Sequence, residues 1–346
     1  MCLNKILAFS QLVIDKPEDE KKKLAALLDI DYEKYTKRML GKEKEADFIV
    51  ILKSLNALEH FVAFDEGLSH ITKEYTPDFK IEMCDGYEML IEVKHTDKEM
   101  FKISKGNLNN RKKFADRQNL PLRFAISLKG LWGLFTIETL FNKNGKLTLD
   151  DFIGPTACSW FDNELATCSY MFDKQIKIKS VYSTNHAKGM GIQHESYGQL
   201  ISYELYYDNK RIFRAKGKKS KYIPYSIYLE ALQDRIANIR QDIERVGEYT
   251  IITEYTDKSD PQIIPEYEFV LSPLKHMFKE IDSKHIKYNS LLAISERDYN
   301  YLSVQTLRAI LSELVSLGLD IIVFRNNNGY KFEDYAITFW YKNSSK

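Results

Sequence analysis

The stretch "YTPDFKIEMCDGYEMLIEVKH", Tyr75 to His95, decides the fold. Two apolar runs, "FKIEM" (79–83) and "EMLIEV" (88–93), flank an Asp85-Gly86 pair, which reads as two strands joined by a tight turn. Three charges interrupt the pattern. Asp78 opens the first strand directly after Pro77, and Glu92 and Lys94 close the second. Residues two apart on a strand share a face, so Glu92 and Lys94 point one way while Ile91 and Val93 point into a core. An exposed ion pair, worth about 0–1 kcal/mol, would explain Glu92 and Lys94 alone. It leaves Pro77 and Asp78 unexplained.

The three charges together have a chemical logic. Two carboxylates side by side repel one another unless a divalent cation sits between them. Hard oxygen ligands with room for water suit Mg2+, with Mn2+ as a substitute. A lysine beside such an ion can orient or deprotonate a water and stabilise developing phosphate charge. Acid, acid and lysine on one sheet edge make a phosphodiester hydrolysis site.

Parity then fixes the turn. Were Asp85 and Gly86 a plain two-residue loop, Asp78 would stand opposite Val93. Directly opposed residues share a face, so Asp78 would lie away from Glu92 and Lys94. A three-residue loop, Cys84-Asp85-Gly86, closed by Met83 and Tyr87, puts Asp78 opposite Glu92 instead. Such a loop ends in a left-handed residue, and Gly86 can adopt that conformation without strain. Positive φ at Gly86 is therefore expected; a bulge inside either strand would restore the same parity.

Working outward, residues 1 to about 40 read as charged helices, with Gly41 separating them from "KEKEADFIVILKSLNAL" (42–58), whose Phe48, Ile49 and Leu52 fit one helix face. Next come strand candidates at 60–64, 79–83 and 88–93, a basic helical segment "NLNNRKKFADRQNL" (107–120), and a buried strand "LRFAISL" (122–128). Helix, strand, strand, strand, helix, strand is an α/β layer arrangement.

Pro77-Asp78 followed by Glu92-Val93-Lys94, in this element order over residues 41–128, resembles the PD-(D/E)xK motif of restriction-endonuclease-like nucleases. The resemblance implies a mixed sheet flanked by helices, with Asp78 and Glu92 as metal ligands and the Val93 carbonyl as a further one. It implies that Lys94 positions the attacking water. An acid from the first core helix completes the set, for which Glu45 is the best match and Glu43 the second. His95 falls on the opposite strand face and is expected to be structural.

The second half is organised differently. "QIKIKSVYS" (175–183) reads as a strand and "GQLISYELYYDNKRIFRAKG" (198–217) as a hairpin turning at Asp208-Asn209. A helix is predicted across "YSIYLEALQDRIANIRQDIERV" (225–246) from the spacing of Leu229, Leu232, Ile236, Ile239 and Ile243. Pro261, Pro265 and Pro273 mark a boundary near 262. Beyond it, Ser303 is placed to cap a helix lined by Val304, Leu307, Leu311 and Leu314, with Gly318 at its end. A strand "LDIIVF" (319–324), a turn "RNNNG" (325–329) and a return strand (330–340) follow. This order resembles the recognition helix and wing of winged-helix domains. The expected domains are thus 1–148, a helical N-terminus plus nuclease; 149–262, an α+β middle region; and 263–346, winged-helix-like.

Net charge is +1, so any basic surface must be local. The acid-free run "NKRIFRAKGKKSKY" (209–222) supplies Arg214, Lys216, Lys218, Lys219 and Lys221 as candidate phosphate contacts. Arg111, Lys112 and Lys113 stand after the motif and are expected on the same DNA backbone. Gln305, Thr306 and Arg308, in the first turns of the C-terminal helix, are the candidate readers. The four cysteines lack C-x-x-C or zinc-finger spacing, and no apolar run reaches about 18 residues. Reduced thiols, no membrane span, no signal peptide and a cytoplasmic location are expected. The expected activity is a metal-dependent DNA endonuclease of restriction or phage-defence type, working as a homodimer because double-strand cleavage needs two sites. The competing readings are a transposon end-cleaving subunit and a DNA-binding regulator whose nuclease-like core no longer cuts.

Overall fold

A computed structural model describes residues 3–13, 16–64, 75–153, 157–165, 167–172, 174–185, 189–194, 196–231, 240–256, 263–271, 303–324 and 338–339. The chain divides into two compact units, with the break in the described chain between Thr167 and Cys168.

The first unit opens with three helices: α1 (Leu3–Val13), α2 (Glu18–Leu27) and α3 (Tyr32–Ser54). Asp31 caps α3 by accepting the Lys34 N–H at 3.1 Å, worth about 1 kcal/mol. Gly41 does not break the helix as the sequence suggested. A mid-helix glycine costs only about 1 kcal/mol against alanine, and α3 buries Ala46 through Leu52 as one run, which outweighs it.

Five strands form the unit's sheet: β1 (Leu58–Ala63), β2 (Phe79–Met83), β3 (Glu88–Thr96), then β5 (Leu122–Leu128) and β6 (Leu131–Thr136). They lie in the order β1-β2-β3-β5-β6. The β3–β5 pair is parallel and the others are antiparallel, so the sheet is mixed and carries helices, as expected. Between β3 and β5 come β4 (Phe101–Lys102) and α4 (Lys105–Gln118); after β6 come α5 (Ile137–Asn142), β7 (Lys146–Leu147) and α6 (Phe161–Glu164). Strand β4 pairs with β7 as a separate ribbon. Leu90 of β3 is buried in one cluster with Leu108 and Phe114 of α4 and Phe124 and Ile126 of β5. Helix α4 therefore covers the face toward which even-numbered β3 residues point. Phe48 of α3 packs on Trp132, ring centroids 5.5 Å apart, and Trp132 opposes Ser127 of β5, which places α3 on the other face. Strand β6 was not legible in the sequence. Its turn is Lys129-Gly130, with φ of 51° and 87°, a primed turn without the Asn or Asp that usually signals one.

The β2–β3 turn is the three-residue loop that parity demanded. Phe79 pairs with Ile91, Ile81 with Met89 and Glu82 with Glu88, which carries Asp78 to the position opposite Glu92. Met83 N–H donates to Tyr87 O at 2.9 Å and Gly86 N–H to Met83 O at 2.8 Å, and Gly86 has φ of 82°. Among the described residues nothing lies within 4 Å of a Cβ built there, so backbone strain is the whole cost of a side chain. Gly86→Ala is expected to cost about 1–2 kcal/mol and Gly86→Asn less. Urea unfolding of the two variants checks this, and equal losses would show that the left-handed backbone is not what sets the cost.

Among the described residues the second unit holds two sheets. The larger contains β9 (Ile176–Ser183), β10 (Gln193–His194), β11 (Gly198–Tyr207), β12 (Lys210–Lys216), β13 (Arg240–Val246) and β14 (Tyr249–Tyr255), ordered β10-β11-β9-β14-β13 with β12 also on β11. The β11–β12 hairpin turns at Asp208-Asn209, φ 48° and 63°, as read. The helix predicted over 225–246 is half right. Helix α7 spans Ile223–Ala231, but 240–246 is a strand paired from Arg240↔Tyr255 to Val246↔Tyr249. The partner "YTIITEY" is rich in β-branched and aromatic residues, and Gly247 with φ of 61° turns the hairpin. Pairing overrides the local helical spacing; Ile243, counted as a helix-face residue, is half exposed. Leu232, Ile236 and Ile239 lie outside the described residues.

The smaller sheet runs β15-β8-β16-β17, from β8 (Ser169–Met171), β15 (Ile263–Pro265), β16 (Ile322–Phe324) and β17 (Thr338–Phe339). Before β16 comes α8 (Val304–Ser316), capped by Ser303 and buried through Val304, Leu307, Leu311 and Leu314, with Gly318 at φ of 107°. Helix and strand are where the sequence placed them. The separate 263–346 domain is not, because β8, from before residue 262, pairs with both β15 and β16. The "RNNNG" turn and most of the return strand lie outside the described residues.

Candidate active site

Asp78 stands at the entry to β2 and Glu92 and Lys94 on β3. Asp78 is 8% exposed and Glu92 1%. The Val93 N–H donates to Asp78 Oδ2 at 2.7 Å, fixing that carboxylate against the neighbouring strand. Lys94 is ion-paired to Glu92 and donates to the Val93 carbonyl at 3.0 Å. The Asp78 carboxyl is pushed up to about 8, first by burial and then by the charge on Glu92, with Glu45 adding to the rise and Lys94 opposing it. The two carboxylates and the lysine thus act on one another electrostatically, on the face the register assigned them.

Arg111, expected on the DNA backbone, stands at this site. Its guanidinium reaches Glu92 Oε1 at 2.5 Å from α4 and donates to the Asn107 side chain. The missed signal was helical position. Arg111 follows Leu108 by three residues and precedes Ala115 by four, and both are buried, so it sits on the helix's inward face. Lys112, one step round, pairs with Asp116 at 2.7 Å in solvent. Glu45 of α3 pairs with Lys42 at 2.6 Å and is felt at Asp78 through its charge. His95 opposes Ser127 and approaches Asp97 at 3.3 Å, on the strand face away from Glu92.

The donor set suits a hard cation. Glu92 Oε2 is buried and has no hydrogen-bond partner among the described residues, a state that a bound cation would relieve. Asp78, Glu92 and the Val93 carbonyl offer oxygen alone, the preference of Mg2+ and Mn2+. Among the described residues no three His, Cys, Asp or Glu side chains are gathered as a closed cage. A bound ion would therefore complete its shell with water, and Glu45 would act on it from beyond the direct ligands.

The other candidate residues belong to the second unit. Lys216, Lys218 and Lys219 are exposed. Arg214 pairs with Glu204 at 3.1 Å, and Lys221 with Glu313 at 3.3 Å. Gln305 is exposed, while the Thr306 N–H donates to Ser303 Oγ. Arg308 makes a two-pronged ion pair with Glu266, Nε and Nη2 each 2.8 Å from a carboxylate oxygen. Glu266 is fully buried, so Arg308 serves the interior of the unit. Among the described residues no helix is long and apolar enough to cross a membrane.

No protein-family model matches the chain, and no curated protein matches it. Among solved structures it is similar to Archaeoglobus fulgidus Hjc, a Holliday junction resolvase from an archaeal hyperthermophile. The match is 18% identical, has a TM-score of 0.28, and covers 32% of this chain and 91% of that one. A likeness of that size establishes no common activity.

Proposed function

We propose that the chain is a metal-dependent nuclease that hydrolyses phosphodiester bonds in DNA. The observation that carries the reading is Asp78 set opposite Glu92 by the three-residue turn, with Lys94 on the same face. In this reading Asp78, Glu92 and the Val93 carbonyl hold Mg2+ or Mn2+, which supplies Lewis acidity toward the phosphate and a more acidic water. The Val93 N–H keeps the Asp78 carboxylate oriented. Lys94, about one-third exposed, holds the attacking water through its ammonium and offsets the charge developing on the phosphate oxygens. A restriction or phage-defence role and a homodimer with two such sites are the assembly we favour for double-strand cleavage.

Incubation of the full chain with supercoiled plasmid tests the reading. Nicked or linear product is expected with Mg2+ or Mn2+ and none with EDTA. Plasmid left intact in both metals would remove the proposal.

Arg111 has a separate consequence. Its cation occupies Glu92, so it competes with a divalent ion for the same carboxylate. Arg111→Gln is expected to tighten Mn2+ binding by about 3- to 10-fold, the effect of removing one nearby unit charge at a partly screened site. Calorimetric titration of metal into the chain without DNA reads this directly. Unchanged or weaker Mn2+ binding would mean that Arg111 does not compete.

A further inference from the structure

The larger sheet of the second unit has two unlike faces. On one, Ile178, Leu205 and Phe213 stand side by side across β9, β11 and β12 and all are buried. Phe213 stacks on Tyr222 at 5.2 Å, just ahead of α7, so this face is core. The other face is largely polar. Lys177 and Lys179 stand on β9, with Tyr206 and Glu204 opposite them on β11. Arg211 and Arg214 follow on β12, opposite Tyr206 and Glu204. On the far side, Tyr255 and Thr253 of β14 lead to Arg240 and Asp242 of β13. One step along the strands, the same face carries Lys216 at one edge and Glu244 at the other.

Among the described residues six cations therefore share the face with three carboxylates, in a chain whose net charge is +1. Glu204 is not a free anion. It is nearly buried and held by Arg214 at 3.1 Å, Arg211 at 3.8 Å and the Tyr206 hydroxyl at 2.5 Å. The arginine side chains stay accessible: Arg211 is 53% exposed, Arg214 44% and Arg240 80%. Lys177 with Lys179, and Arg214 with Lys216, make two rows. Within a row the spacing is about 6.5–7 Å, and the rows stand two strand widths, about 9.5 Å, apart.

We infer that this face binds the phosphate backbone of duplex DNA. Charge complementarity supplies the attraction, and guanidinium forks match phosphate geometry. The aromatic rings decide against a single-strand platform. Such platforms stack bases on open rings, but the Lys177 ammonium lies 4.2 Å over the Tyr206 ring and the hydroxyl is already bonded. What the face offers is cations, not ring surface. The face extends beyond the 209–222 run to Lys177, Lys179 and Arg240, and its binding of DNA does not depend on nuclease activity.

Fluorescence anisotropy with a labelled duplex, run on the full chain in EDTA over a series of KCl concentrations, tests it without metal or cleavage. K177E/K179E is expected to weaken binding at least about tenfold and to reduce the log–log salt slope by about 2, at roughly 0.9 for each phosphate no longer neutralised. D242K/E244K adds cations at exposed positions of the same face and is expected to tighten binding and steepen the slope. This second variant keeps the test decisive should the first fail to fold. An unchanged slope in a folded K177E/K179E, no gain in D242K/E244K, or tighter binding of the matching single strand would each overturn the assignment. Plasmid cleavage that fails while these shifts appear removes the nuclease reading and leaves this face in place.

Discussion

Asp78→Asn, Glu92→Gln and Lys94→Ala should each lower metal-dependent DNA cleavage by about a thousandfold or more, the scale on which groups acting directly on the transition state count. The three differ in what they do to the fold, which separates a chemical loss from a structural one. Burial and the Glu92 charge raise the Asp78 carboxyl to about 8 from the ordinary 3.8. The folded, metal-free chain therefore binds that proton more tightly than the unfolded chain does. Its contribution to stability is complete at acid pH and is lost as pH rises from about 4 to about 8. Asparagine carries no charge and can still accept the Val93 N–H through its side-chain oxygen. Asp78→Asn is thus expected to raise metal-free stability at neutral pH by about 1 kcal/mol or more while ending cleavage. Glu92→Gln should do the reverse. It strips Lys94 and Arg111 of the carboxylate both pair with and leaves two cations side by side. Thermal unfolding in EDTA, beside the plasmid assay, reads both effects. A Lys94→Ala chain that cut DNA at the parental rate would remove Lys94 from the chemistry.

Much of this site was legible because strand parity is discrete. One residue more or less in the 84–86 loop moves Asp78 to the other face, so the turn type followed from the three charges and Gly86 was the residue fit to close it. Helix α8 was legible for a similar reason, since a cap at Ser303, regular apolar spacing and Gly318 agree with one another. Features that depend on distant partners were not legible. Arg111 looked like one of three surface cations, and what distinguishes it is that α4 lies over Glu92. Strand β13 carries helical spacing and becomes a strand because "YTIITEY" is there to pair with it. The boundary drawn at 262 followed a cluster of prolines, whereas β8 pairs with β15 and with β16, about 90 and about 150 residues further along the chain, which no local signal records.

Arg308 provides the sharpest test of a role read from sequence against one read from structure. Its place near the start of α8 suggested a DNA reader. Its ion pair is instead with Glu266, which is 0% exposed and also receives the Tyr170 hydroxyl at 2.5 Å. Breaking a fully buried pair by removing one partner costs about 3–5 kcal/mol, because the remaining charge is left without compensation. The Arg308 side chain is 40% exposed, so water recovers part of that loss. Arg308→Ala is accordingly expected to cost about 2–3 kcal/mol in urea unfolding. Replacing the pair together, Arg308→Met with Glu266→Gln, leaves no stranded charge, and a cycle with the single variants Arg308→Met and Glu266→Gln should give a coupling energy well above the few tenths expected of independent sites. The double variant also isolates DNA binding from folding. If Arg308 acts through Glu266, duplex affinity of the folded double variant stays within about twofold of the parent, well under the 1–3 kcal/mol typical of removing a side chain that reads a base. A small stability loss in Arg308→Ala together with a large fall in affinity would return Arg308 to the DNA interface.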